Sequence, residues 1–221
     1  MSFFKAATIS AMLDSALIPA AIPGSKSLCI FLHGLGDSMN GFTWLPDALA
    51  FPWMNYLLVN APDPYYGGFS WYDFAGDMHP GVRRSCGLLT ELLDQTRSRG
   101  FPTEETFLGG FSQGCLMTIE MGCRYPHLFA GLIGISGYVA HPEVLLTELS
   151  PVAKQQRFLV THGTTDPIVP FRATQQQIAL LQQGGLNIQW QEFHKAHTIQ
   201  GEAELAVIRT FMKASESLSG K

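Results

Sequence analysis

Thr106-Phe107-Leu108-Gly109-Gly110-Phe111-Ser112-Gln113-Gly114-Cys115-Leu116 is the stretch that decides the fold. A strand-like run, 106–110, enters the pattern G-x-S-x-G at Gly110–Ser112–Gly114. A helix-like run, 114–124, leaves it, with Leu116, Ile119 and Met121 on one side and Pro126 just beyond. The five-letter pattern alone is modest evidence; the strand–turn–helix setting gives it weight. A serine on so tight a turn has a strained backbone, so the residues two before and two after must be small. The turn lifts the hydroxyl above the sheet edge. It also aims the free N–H groups of the helix N-terminus at any negative charge that develops there.

Working outward, strand-like runs recur at 28–32, 56–60, 132–136, 158–162 and 188–193. Leu28–Leu32 and 158–162 are nearly continuous apolar runs without alternation, as a sheet covered on both faces requires. Helix-like patterns lie between them at 82–99, 174–183 and 202–212. In the first, Val82, Cys86, Leu89, Leu93 and Thr96 form one stripe at three- and four-residue spacing, and Gly100 follows as a stop. Strands alternating with helices predict an α/β fold, a mostly parallel twisted sheet with helices on both faces. At 221 residues, without repeats or linkers, one domain over 1–221 is expected, with 215–221 a frayed polar tail.

A hydroxyl needs a base to become a nucleophile, and the base needs a third group to orient it. In this architecture the order along the chain is Ser, acid, His. Asp166 lies in the loop after strand 158–162, and His197 in the loop after strand 188–193. Both therefore reach the strand ends that Ser112 occupies, where open α/β sheets build their sites. His194 is the rival base; His33 and His162 sit before glycines at strand ends and read as loop-orienting. Leu32-His33-Gly34-Leu35-Gly36-Asp37 supplies an early strand–loop junction whose backbone can turn inward. Together these assign an oxyanion hole to the backbone N–H groups of Leu35 and Gln113, each donor worth ~3 kcal/mol in the transition state.

Composition removes other classes. Hydrophobic residues make up 46% and charged residues 14%, so the chain has a large interior. A net charge of −4, with no basic cluster beyond Arg83-Arg84, argues against nucleic acid. No run approaches the ~18 apolar residues of a membrane span, so no integral membrane segment is expected. Residues 3–22 are apolar but broken by Asp14, which argues against a secretory leader. Cys29, Cys86, Cys115 and Cys123 sit in apolar runs without metal-site spacing, so they read as reduced core residues of a cytoplasmic protein. No metal and no cofactor are expected.

The motifs H-G-L-G-D (33–37), S-W-Y-D (70–73), G-F-S-Q-G (110–114), H-G-T-T-D-P-I-V-P (162–170) and A-H-T-I (196–199) stand in order along the chain. Together they resemble the carboxylesterase, lysophospholipase and acyl-protein thioesterase family of small α/β-hydrolases. The resemblance runs from about residue 28 to 212. It implies a single-domain α/β-hydrolase fold with a minimal lid, a Ser112–His197–Asp166 triad, an oxyanion hole at Leu35 and Gln113, and a shallow apolar acyl site. It implies a serine hydrolase cleaving carboxylic esters or thioesters of small molecules or acyl chains. An amidase or peptidase on the same scaffold, and a non-catalytic ligand-binding protein, are the alternatives. Ala196 and Cys115 depart from the residues usual in the family at those positions and leave acyl preference open. Segment 63–80, rich in aromatics, fits neither strand nor helix. It reads as a substrate wall, with Phe69 and Trp71 in contact with substrate, or as a homodimer face.

Overall fold

The computed structural model describes residues 13–214. In chain order the strands are β1 (Ser15–Ile18), β2 (Leu28–Leu32), β3 (Asn55–Val59), β4 (Asp63–Tyr65), β5 (Gly68–Ser70), β6 (Thr106–Phe111), β7 (Gly131–Ile135), β8 (Arg157–Gly163) and β9 (Asn187–Phe193). The α-helices are α1 (Leu45–Leu49), α2 (His79–Ser98), α3 (Gln113–Arg124), α4 (Pro142–Thr147), α5 (Phe171–Gln183) and α6 (Glu202–Lys213). The frayed tail expected at 215–221 lies outside the described residues, as do residues 3–12 of the apolar N-terminal stretch.

Seven strands form one sheet in the order β1-β3-β2-β6-β7-β8-β9. All neighbouring pairs are parallel except β1 with β3. β2 shows why its sequence does not alternate. Leu28, Ile30 and Leu32 face one buried cluster with Leu89, Leu116 and Ile178. Cys29 and Phe31 face the other, with Leu45, Leu49, Leu205 and Ile208. Both faces are covered, α2, α3 and α5 on one and α1 and α6 on the other, so every residue of β2 is buried. Each large apolar side chain so removed from water contributes about 1.5–3 kcal/mol. The stripe expected on α2 is the face it buries: Val82, Cys86, Leu89, Leu93 and Thr96, together with Ser85.

The topology fixes where a site can form. From β2 the chain steps outward to β3, then returns past β2 to continue through β6 to β9. The order therefore reverses between β2 and β6, and a crevice opens at their carboxyl ends. Leu32 of β2 pairs with Gly110 of β6 at that rim.

Candidate active site

Ser112 occupies the turn between β6 and α3 with φ +55° and ψ −113°. A non-glycine residue held there costs of order 1–3 kcal/mol, so its surroundings must impose it. The Ser112 N–H donates to the Ile135 carbonyl at 2.9 Å, and its own carbonyl accepts from the Cys115 N–H at 3.0 Å. The flanking glycines are demanded by contact. A Cβ on Gly110 would lie 2.3 Å from the Gly114 oxygen, and one on Gly114 would lie 2.2 Å from the Leu32 oxygen.

His197 Nε2 lies 3.0 Å from Ser112 Oγ, and its Nδ1 lies 2.7 Å from Asp166 Oδ2. A carboxylate only accepts, so Nδ1 carries the ring proton and Nε2 is left to accept from the serine hydroxyl. The other carboxylate oxygen, Oδ1, accepts the N–H groups of Ile168 and Val169, both at 2.9 Å. Burial of the Asp166 carboxyl by itself would raise its pKa. The Val169 N–H, His197 and the Ile168 N–H outweigh that and hold it below the usual carboxylate range. The His197 ring rests on Phe111, centroids 4.8 Å apart. His194, the rival base, is exposed.

The loop carrying His197 is tied down by a buried ion pair. Lys195 Nζ donates to both oxygens of Glu204 on α6, at 2.6 and 2.8 Å, with both side chains fully buried. Glu204 Oε2 also accepts the Gln200 N–H at 2.6 Å. His33 and His162 brace neighbouring loops. His33 Nε2 accepts the Ala61 N–H at 3.0 Å, and His162 Nε2 donates to the Val169 carbonyl at 3.1 Å. Burial lowers the pKa of both rings, so they stay neutral at neutral pH. Cys115 is fully buried and its thiol is pushed up to about 12 by desolvation, which suits packing and not nucleophilic chemistry.

Leu35 and Gln113 both border the cavity that contains Ser112. Among the described residues no acceptor takes the N–H of either, so both remain open to a ligand. The side chain of Gln113 has a role the sequence did not suggest. Its Oε1 accepts the Trp71 N–H at 3.0 Å and the Ser70 hydroxyl at 3.2 Å, while Nε2 donates to the Tyr72 carbonyl at 3.0 Å. This clasp locks the first residue of α3 to residues 70–72, where the chain leaves the β4–β5 hairpin. Gln113→Leu leaves the buried Trp71 N–H unpaired, while the Ser70 hydroxyl still donates to the Tyr72 carbonyl at 2.7 Å. It should lower stability by about 1–3 kcal/mol, read as a shift of the urea midpoint at unchanged slope.

The expectation that Phe69 and Trp71 touch substrate needs correction. Neither borders the cavity. Trp71 is wholly buried beneath it, and its indole N–H donates to the His33 carbonyl at 2.9 Å. It thus pins the loop that presents Leu35. Phe69 packs against the same core and bonds through its backbone to Gly36 and Asp37. The wall comes from later in the segment, at Phe74 and Met78, and from across the cleft at Tyr138, Ile168 and Ala173. The cavity measures about 700 Å³. Among the described residues no helix is long and apolar enough to cross a membrane, and no cluster of three or more His, Cys, Asp or Glu could hold a metal.

Known proteins share this architecture. The chain is 34% identical over 175 residues to acyl-protein thioesterase 1 of Schizosaccharomyces pombe, covering 73% of this chain and 78% of that protein. It is 29% identical over 219 residues to acyl-protein thioesterase 1 of Candida albicans, covering 89% and 95%. The crystal structure of esterase PE8 superposes with a TM-score of 0.82 at 26% identity, covering 92% of this chain and 99% of that one. Residues 14–216 match the family described as phospholipase/carboxylesterase. The motifs that first suggested the resemblance thus lie within a match spanning nearly the whole chain, which belongs to the phospholipase/carboxylesterase family of α/β-hydrolase fold.

Proposed function

We propose that this chain is a serine hydrolase that cleaves carboxylic esters or thioesters through a Ser112-bound acyl intermediate. One observation carries the reading: His197 bridges the Ser112 hydroxyl and the Asp166 carboxylate at 3.0 and 2.7 Å, beside two uncommitted backbone N–H groups. Esterase and thioesterase relatives support the substrate class. As Ser112 Oγ bonds to the carbonyl carbon, its proton passes to His197 Nε2. The carbonyl oxygen becomes an oxyanion held by the N–H groups of Leu35 and Gln113. His197 then protonates the leaving oxygen or sulfur as its bond to carbon breaks. Water repeats the sequence on the acyl-enzyme and frees the acid. Asp166 keeps the imidazole in the right tautomer throughout. The larger cavity, with Phe74, Met78 and Ile168 on its walls, receives the acyl chain. Four buried free thiols fit a reducing compartment, and we place the protein in the cytoplasm.

The test pairs turnover with covalent capture. A fluorophosphonate should modify Ser112, located by mass spectrometry, and 4-nitrophenyl esters and acyl thioesters should be hydrolysed in preference to a matched anilide. Anilide cleavage at an equal rate would favour an amidase. A chain neither modified nor active would be a binding protein.

A further inference from the structure

A second, smaller cavity meets the first at His197. It measures about 320 Å³ and shares Asp37, Phe111 and His197 with the larger one, but Ser112 does not border it. Trp44, Thr198 and Ile199 line it as well, and none of them borders the larger cavity. If Ser112, Leu35 and Gln113 hold the acyl carbonyl in the larger cavity, the leaving group must sit where His197 Nε2 can protonate it. The second cavity shares the His197 side chain with the first and lies next to it on that residue.

Its chemistry is uneven. Asp37 is the one carboxylate on its wall, and no lysine or arginine lines it. Asp37 Oδ1 accepts the Ser38 N–H at 2.7 Å, and no lysine or arginine among the described residues lies within ion-pair distance of it. The carboxylate lies against Gly41, where a Cβ would fall 2.3 and 2.4 Å from its two oxygens. The Gly41 carbonyl in turn accepts the Trp44 indole N–H at 2.9 Å. A carboxylate and an indole that is 40% exposed are therefore held on one short bridge. The Phe42 ring lies 6.2 Å from the indole, centroid to centroid. A carboxylate beside an aromatic surface is the combination that recognises a cation.

From this we propose that the cavity bounded by Asp37, Trp44 and His197 is a leaving-group subsite selective for an alcohol or thiol bearing a cationic amine. It rests on the hydrolase reading above and adds the identity of the departing half of the substrate. Butyrylcholine and 3,3-dimethylbutyl butyrate, equal in acyl group and nearly equal in shape, differ in the charge of the leaving group and serve as probes. Wild-type protein is expected to show kcat/KM about five- to tenfold higher for the choline ester, mostly through KM, with the ratio shrinking as salt rises. Asp37→Asn keeps an acceptor for the Ser38 N–H and should bring the ratio close to one. Trp44→Ala, at a half-exposed ring, should lower it independently, so the inference survives a misfolded Asp37 variant. Glu104→Gln borders a separate cavity that contains no triad residue and should leave the ratio where it was. Equal rates for the two esters in the wild type would overturn the subsite. So would a fall in the ratio for Glu104→Gln as large as for Asp37→Asn, which would assign the preference to overall charge. Failure to hydrolyse either ester, or any 4-nitrophenyl ester, would instead overturn the hydrolase reading itself.

Discussion

Ser112→Ala lowers kcat by about 10⁶-fold while the protein stays folded. The size follows from the division of labour in the cleft. Without Oγ no acyl-enzyme forms, and His197 can at best activate water from a position set for another atom. What remains is the stabilisation offered by the two N–H groups and by binding, about 10³- to 10⁴-fold over the uncatalysed reaction. Removing one hydroxyl at the edge of an open cavity leaves no buried group unpaired, so the thermal midpoint should hold or rise. Steady-state turnover of a 4-nitrophenyl ester, with circular dichroism as the folding control, decides it. Residual turnover within tenfold of wild type would remove Ser112 from the mechanism.

Asp166→Asn lowers kcat by about 10⁴-fold for a different reason. The amide oxygen can keep the Ile168 and Val169 N–H bonds, since Asn is nearly isosteric with Asp. The NH₂ group then faces His197 Nδ1 where Oδ2 stood. It donates, so Nδ1 must accept and the ring proton moves to Nε2. The base then presents a proton to Ser112 where it should present a lone pair. The acid form of wild-type Asp166 is disfavoured as well. Its folded-state value lies below the ordinary 3.8, so the contribution it makes to stability is full above that pH and is lost as pH falls through the lower, folded value. Above 3.8 Asp166 is therefore ionised, and any fall in kcat/KM between pH 7 and pH 5 belongs to other groups. A pH–rate profile with its acid limb assigned to Asp166 in that window would contradict the geometry.

Much of the frame was legible because burial on two faces writes itself into composition. β2 and β8 needed nearly unbroken apolar runs, and those runs are what the sequence displays. β1 was not legible. It is a four-residue edge strand whose Leu17 is half-exposed, and local pattern does not distinguish it from a loop. The hairpin β4–β5 has three-residue strands, too short for any period to register. The convergence of Ser112, Asp166 and His197 was legible through chain order and strand ends, neither of which depends on side-chain detail. The cavity wall was not. Aromatic content marks segment 63–80 as packed against something, but which ring faces the cleft depends on the turn after Tyr72, a tertiary fact. Trp71 went inward because His33 offers its indole N–H a carbonyl; Phe74 has no polar handle and stayed at the cavity. The clasp made by Gln113 was equally hidden, since its partners lie about forty residues earlier in the chain.

The site draws on the ends of four strands, β2, β6, β8 and β9, which are not all neighbours in the sheet. No single segment of the chain carries more than one of Ser112, Asp166 and His197. Turnover is therefore a sensor of completed folding. In a denaturant titration it should vanish at or before the global transition and never outlast it, which makes hydrolysis a direct assay of refolding yield.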